Sequence, residues 1–440
     1  MAFLINSSDV FKEANLSVSN GQCSVEPTTD NIGSLPTLFS EHGEFNHQAN
    51  SYFFYQKAAK GAIDLQPCAQ ALKDYYQFLE DNNLQWNVFP PVKRLKPTYL
   101  FRSHLLKLVK KGELAHSTAS VRMNQIVNYY KWLMHDGYLK IKNEKEAPFK
   151  MEFVSIQRTD MLAHTAPSFT VETSDLRIKV PRDSDSKNIR PLTPLSQDDL
   201  SILTSYLPFA SEELRLQVLI SIDTGLRIQE IATLTLDALD IAKPLAESKH
   251  RYEIAVSPHR NGVQTKYGKE RTIEISKTLL DELDAYRTSN RRLKRVNKLN
   301  AKLDNLEEST KGLSHEMVET LELCLNHEPL FVSEQGNPVS PKSTEARWSE
   351  LRKKIKQAHP AFEHRFHDFR STYGTYRLND LLEARLPVVE SMELLMSWMG
   401  HKNESTTWKY LRYLKRKEAF KVKFGILDSI MHEVLEGGNE

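Results

Sequence analysis

"GHKNESTTWKYLRYLKRK", Gly400 to Lys417, carries two tyrosines three residues apart, Tyr410 and Tyr413, shortly after a Gly-His pair. Ser405 and Thr406 are residues that cap a helix, so the stretch reads as a short turn leading into a helix that bears both tyrosines. At 100° per residue they lie about 60° apart on its surface. A helical tyrosine usually buries its ring and hydrogen-bonds its hydroxyl. Only chemistry supplied elsewhere in the chain makes one of them reactive.

The chain has 440 residues, 40% apolar and 26% charged, which suits two or three globular domains with full-size cores. No apolar run is long enough to span a bilayer, and the start, "MAFLINSSDVFKEANLS", lacks the basic and apolar regions of a signal peptide. Cys23, Cys68 and Cys324 are odd in number and far apart, which argues against a disulfide framework or a metal knuckle and points to a reducing cytoplasm. A net charge of +2 says little about a polyanionic partner. Its distribution says more: Arg291–Lys302, Leu351–Gln357 and Leu414–Lys423 are locally basic. Such clusters are solvated faces unless they border a reactive site, where they can hold phosphates. The sequence lacks a P-loop, a G-x-S-x-G elbow, an H-E-x-x-H zinc motif and the paired acids of a two-metal nuclease.

Residues 1–46 are rich in Ser, Asn, Gly and Thr with little periodicity, and read as a loose N-terminal extension. Residues 47–150 read as a helical domain. Cys68, Leu72, Tyr75, Tyr76 and Leu79 form one stripe, opened by Pro67; Ala119, Met123, Ile126, Tyr130 and Leu133 form another, with Ser117 or Thr118 as its cap. Residues 151–190 read as a connecting segment, and "VPRDSDSKNIRPLTPLS" (Val180–Ser196) as a polar, proline-containing linker. Residues 191–440 form a second domain, mostly helical, with a small antiparallel sheet from "YEIAV" and "RTIEIS". Within it, Ser289–His327 looks like an inserted helical hairpin, with Leu293, Val296, Leu299, Leu303 and Leu306 as one stripe. Its simplest role is structural; an assembly or DNA contact is the alternative.

Four places in this domain set charged residues among apolar surroundings. In "TGLRIQEIATL", Arg227 follows an apolar stretch at an apparent helix start, where a buried charge needs a partner; Glu230 can supply one. In "QTKYGKERTIEIS", Lys266 lies in a turn between strands, followed by Lys269 and Arg271. In "HRFHDFRSTYGTY", His367 and Arg370 share a helix face. The fourth is the opening stretch, with His401, Tyr410 and Tyr413.

Together these motifs resemble the tyrosine recombinase family, the phage-integrase-like site-specific recombinases. The order Arg, Lys, His-x-x-Arg, His, Tyr is that family's order. The resemblance implies that "TGLRIQE" supplies the first catalytic arginine, Arg227, with Glu230 in support, and that "TKYGKER" supplies the catalytic lysine, Lys266. "HDFRSTYGT" would supply His367 and Arg370. "MGHKNESTTWKY" would supply His401 and, nine residues on, the nucleophile Tyr410, leaving Tyr413 a neighbour. The match covers roughly residues 191–425; residues 47–150 resemble the family's core-binding domain by position and pattern.

The implied fold is mainly α: a helical core-binding domain and a mostly helical catalytic domain with a small antiparallel sheet, forming a C-shaped clamp on DNA. The implied function is cutting and rejoining DNA through a 3′-phosphotyrosyl intermediate for a mobile genetic element. No metal, cofactor or ATP is expected. The implied partners are double-stranded DNA recombination sites, further copies of the chain in a tetramer on DNA, and accessory DNA-bending or directionality proteins, with no membrane. The implied location is the cytoplasm, in association with the nucleoid. "FKVKFGILDSIMHEVLE" (Phe420–Glu436) would dock either on its own domain or on a neighbouring protomer. Alternative readings are a type IB topoisomerase-like or telomere-resolving enzyme, and a non-catalytic DNA-binding accessory protein with the same fold.

Overall fold

The computed structural model describes residues 1–19, 22–27, 30–62, 64–156, 169–179, 192–246, 248–306, 313, 315–401, 406–411 and 413–415. The chain divides into two compact units, Met1–Arg190 with Leu313–Glu316, and Pro191–Gly312 with Met317–Glu440.

The first unit opens with β1 (Phe3–Phe11), β2 (Ala14–Ser19), β3 (Gln22–Pro27) and β4 (Asn31–Phe39). β1 pairs antiparallel with β4 and β2 with β3. This corrects the reading of residues 1–46 as loose. Ala2, Leu35 and Leu38 enter the unit's core. The side chain of Asn50 binds the strand backbone like another strand: Leu38 N donates to Oδ1 at 2.7 Å, and Nδ2 donates to Leu38 O at 3.0 Å. The alternation is hard to read because register irregularities follow Ser7 and Val10 and because Pro36 interrupts β4.

Four helices follow: α1 (His47–Ala58), α2 (Gln66–Asp81), α3 (Pro97–Lys110) and α4 (His116–His135). Both sequence stripes are buried. They bring tyrosines together in pairs, Tyr75 with Tyr130 and Tyr76 with Tyr129, each with hydroxyls 2.7 Å apart. Buried hydroxyls need such partners. α4 starts at His116 with Ala115 at its cap position, upstream of where a Ser117 or Thr118 cap would place it. β5 (Met151–Ile156) and β6 (Phe169–Ser174) form a further hairpin, after which Leu176 and Ile178 return to the core. Val180–Pro191 of the expected linker lies outside the described residues.

The second unit begins with α5 (Gln197–Tyr206), closed at its start by a Ser196–Asp199 capping box, and α6 (Glu212–Thr224). The short helices α7 (Ile228–Ala232) and α8 (Leu236–Asp240) lead to β7 (Lys243–Leu245) and β8 (Ser248–Val256). After α9 (Pro258–Asn261), β9 (Arg271–Ser276) completes an antiparallel sheet in the order β7-β8-β9. Ile254, Val256, Ile273 and Ile275 pack into one core with Leu216, Ile220, Trp348, Phe366 and Phe369. The remaining helices are α10 (Lys277–Arg287), α11 (Asn290–Asp304), α12 (His315–Asn326), α13 (Pro341–Ala358), α14 (Phe366–Glu383) and α15 (Val388–Met399). Residues 406–411 and 413–415 are helical and share a second cluster with α14 and α15 through Tyr410, Leu411, Leu414, Tyr373, Leu395 and Met399.

The inserted region contains α11 and α12, and the buried face of α11 keeps Val296 and Leu299 of the predicted stripe but is widened by two arginines in place of Leu293. Leu293 is exposed, whereas Arg292, Arg295, Val296 and Leu299 are buried. Arg292 donates to the carbonyls of Leu330 and Pro329 and pairs with Glu328 at 2.6 Å. Arg295 donates to Val332 O and pairs with the fully buried Glu213 at 2.6 Å. Lys298 and Lys302 reach Glu334 O and Asn337 Oδ1. The basic run therefore staples its helix to the 328–337 loop, so these cations are engaged within the fold rather than held ready for phosphates. Among the described residues no helix is long and apolar enough to cross a membrane. The predicted docking segment Phe420–Glu436 lies outside them.

Candidate active site

α6 must end abruptly for Arg227 to turn inward. Gly225 ends it with φ +66°, and a Cβ there would stand 2.3 Å from the Tyr373 ring, so both conformation and space demand glycine. Arg227 then occupies the cap position of α7. Its backbone N–H donates to Glu230 Oε2 at 2.7 Å, its Nη1 to Glu230 Oε1 at 3.1 Å, and its Nη2 to Gly400 O at 3.3 Å.

Glu230 is fully buried. Burial pushes its carboxyl pKa up, but hydrogen bonds and charge from Arg271, then from Arg227, outweigh this and hold it below the ordinary carboxylate range. Arg271 makes the stronger pair, Nη1 to Oε1 at 2.8 Å and Nη2 to Oε2 at 2.6 Å. Sequence reasoning misses Arg271 as a member of the site. Its one signal is its position at the start of the strand that follows the lysine turn.

Arg370 lies in the first turns of α14 and is 3% exposed. Its two Nη groups donate to Gly225 O at the end of α6 and Met399 O at the end of α15. A planar fork thus joins two helix ends. Burial, then the neighbouring Arg227 charge, pulls its pKa down to about 9, which still leaves the guanidinium charged at neutrality. His367, three residues earlier, is exposed while Arg370 is buried, so their shared helix face is its rim for one and its interior for the other.

Gly400 ends α15 in a left-handed conformation, φ +57°, and presents His401. His401 Nδ1 lies 2.9 Å from Thr407 Oγ1. Burial, followed by the charges of Arg370, Arg227, Arg271 and His367, lowers its pKa to about 3, so the ring is neutral at physiological pH. The Tyr410 ring lies nearly parallel to it, centroids 6.1 Å apart and planes at 16°. Tyr410 is 4% exposed. Burial raises its pKa, opposed by the Arg370 charge, a hydrogen bond from Ser371 and the Arg227 charge. Tyr413 is less buried, and its pKa is raised by burial and by Asp199.

The structure therefore gathers Arg227, Glu230, Arg370, His401 and Tyr410, with His367 in electrostatic reach of His401. Lys266 is exposed on the turn Lys266–Gly268 between β8 and β9, five residues before Arg271. Among the described residues, no three His, Cys, Asp or Glu side chains gather to hold a metal ion. The arrangement can surround an anion with guanidinium and imidazole donors beside one phenol.

The model of the phage integrase family matches residues 195–417, half of the chain. No curated protein matches. Several solved structures are similar at low identity, three of them as follows. XerH site-specific recombinase bound to palindromic difH substrate is 13% identical, with 84% of this chain and 81% of that one covered and a TM-score of 0.47. The Tn1549 transposon integrase in complex with circular intermediate DNA is 17% identical, with coverage of 81% and 93% and a TM-score of 0.43. A lambda integrase dimer bound to a COC' core site is 14% identical, with coverage of 83% and 94% and a TM-score of 0.44. By the match across its catalytic unit, the chain belongs to the phage integrase family and is a tyrosine-type site-specific recombinase.

Proposed function

We propose that this recombinase cuts and rejoins duplex DNA for a mobile genetic element, with Tyr410 as nucleophile. The observation that carries this assignment is the position of the Tyr410 ring beside His401 and under the charge of Arg370 and Arg227. A phosphodiester repels nucleophiles because its oxygens are negative. Arg227 and Arg370 supply positive charge and the N–H groups not already bound to Glu230 and to the carbonyls of Gly225, Met399 and Gly400, for the non-bridging oxygens. Neutral His401 adds an N–H donor, since Nδ1 can accept from the Thr407 hydroxyl and leave Nε2 protonated. Donors of this kind contribute roughly 3–4 kcal/mol each to the transition state.

The Tyr410 oxygen attacks phosphorus, a 3′-phosphotyrosyl bond forms, and the bond to the 5′-oxygen breaks. Lys266 gives that oxygen its proton, and His367 helps remove the proton of the tyrosine. Attack by a 5′-hydroxyl reverses these steps on a new strand. The phosphodiester energy is kept in the phosphotyrosyl bond, so rejoining needs no ATP. Binding to duplex DNA is mainly through phosphates, so it falls steeply with salt. Four copies act on two duplexes, with accessory proteins setting direction, in the cytoplasm on the nucleoid.

The test uses nicked duplexes of random sequence incubated with the full-length protein in EDTA. The expected result is a denaturant-resistant adduct on a selected subset of duplexes, and its loss to a rejoined strand when a 5′-hydroxyl strand is added. Binding without any adduct would refute the proposal. Relaxation of supercoiled DNA with no sequence selection would replace it with a topoisomerase reading.

A further inference from the structure

Arg271 has no part in the reaction proposed above, yet it touches two pieces of the site at once. Its side chain is 8% exposed and makes a bidentate pair with Glu230. Its Nε donates to Trp398 O at 3.1 Å. A Cβ on Gly400 would lie 3.0 Å from Arg271 Cδ, so the arginine stem lies directly against the turn that presents His401.

The acceptor count on Glu230 explains what this contact does. Oε1 receives Nη1 of Arg271 at 2.8 Å and Nη1 of Arg227 at 3.1 Å. Oε2 receives Nη2 of Arg271 at 2.6 Å and the backbone N–H of Arg227 at 2.7 Å. One carboxylate is therefore shared by two guanidinium groups, and the larger share belongs to Arg271. Arginine and carboxylate prefer the bidentate fork when nothing competes. Without Arg271, the Arg227 fork would close on Glu230 and withdraw donors from a phosphate. The Trp398–Gly400 turn would lose its brace in the same stroke.

We propose that Arg271 is a positioning residue for strand cleavage: it occupies Glu230 and braces the Trp398–Gly400 turn, so that Arg227 and His401 present their donors together. This rests on the proposal that Tyr410 cleaves DNA with Arg227 and His401 as phosphate donors. Arg271 acts through Glu230 and the turn, with no contact to DNA required of it.

The experiment takes a nicked duplex that the wild-type protein captures covalently from the random pool. It compares full-length wild type, Arg271→Gln, Arg271→Lys, Glu230→Gln and the double variant Glu230→Gln/Arg271→Gln. Three quantities are read: the single-turnover rate of adduct formation at saturating DNA, the Kd for the same duplex, and the melting temperature. A displacement of about 1 Å in a catalytic group costs about 100-fold. Arg271→Gln is therefore expected to slow cleavage about 100-fold, while Kd stays close to the wild-type value. Arg271→Lys, which keeps the charge but loses the fork, should recover part of that loss at a melting temperature no lower than that of Arg271→Gln. The double variant should lose less than the product of the two single losses, because without Glu230 only the brace on the Trp398–Gly400 turn is left for Arg271 to supply. Wild-type cleavage by Arg271→Gln would overturn the inference, as would multiplicative losses in the double variant. If Arg271→Gln fails to fold, Arg271→Lys decides between positioning and bulk stability by the same rate, Kd and melting comparison. Failure of the wild-type protein to capture any duplex would overturn the site reading itself, and this inference with it.

Discussion

Gly374 tests how closely the nucleophile is seated. It lies on α14, one turn after Arg370, and its missing side chain leaves room for Tyr410. A Cβ at this position would sit 2.7 Å from Tyr410 Cε1, 3.0 Å from Tyr410 Cζ and 2.9 Å from Met399 Sδ. Comfortable carbon contacts begin near about 3.5 Å, so Gly374→Ala must displace the phenol by about 1 Å. Overpacking costs roughly 1–3 kcal/mol, and the helix regains about 1 kcal/mol from alanine in place of glycine. The net loss is then about 0–2 kcal/mol, a fall of no more than about 8 °C in melting temperature for a unit of this size. The kinetic effect should be far larger, because the group displaced is the nucleophile: about 100-fold slower adduct formation. The assay is single-turnover capture on a selected nicked duplex, alongside thermal melting. A Gly374→Ala protein that forms adduct at the wild-type rate would refute this seating of Tyr410 against α14.

Two further outcomes follow from the same structure. Arg292→Met removes the partner of Glu328 and leaves the carbonyls of Leu330 and Pro329 buried without a donor. Urea unfolding of the second unit should then show a loss of about 3 kcal/mol, and no change would mean that the inserted helix is not stapled through this residue. His401 has a folded-state pKa of about 3, below its ordinary value, so the unfolded chain binds the extra proton. The stability this protects is complete above about pH 6.5 and falls as pH drops toward about 3, by at most about 1.4 kcal/mol per unit. The melting temperature of wild type should therefore fall more steeply with acid than that of His401→Gln, and parallel curves would contradict the assignment.

The site is legible in the sequence where its residues sit in short, ordered motifs. Arg227, Arg370, His401 and Tyr410 come together because glycines at 225 and 400 end helices at the motif positions, and both glycines are visible in the sequence. Arg271 is not legible, because a strand-opening arginine looks solvated until its partner is known, and Glu230 lies 41 residues away. The burial of Arg292 and Arg295 is hidden for a similar reason. A basic run reads as a wet surface, whereas here it finds carbonyls in a loop about 37 residues further on. The N-terminal strands escape a sequence reading because β1 pairs with β4 across an intervening hairpin, and the buried positions of β4, Gly33, Leu35, Pro36 and Leu38, do not alternate cleanly. The helical stripes of α2 and α4 are plain because their period is local.

The chemical identity of the DNA-linked residue decides whether Tyr410 is the nucleophile. Adduct formed in EDTA on a selected nicked duplex is digested with protease, and the nucleotide-bearing peptide is sequenced by mass spectrometry for wild type, Tyr410→Phe and Tyr413→Phe. The expected result is the nucleotide on Tyr410, no adduct with Tyr410→Phe, and near wild-type adduct with Tyr413→Phe. A nucleotide on Tyr413, or adduct that survives Tyr410→Phe, would show that the site is built around a different nucleophile.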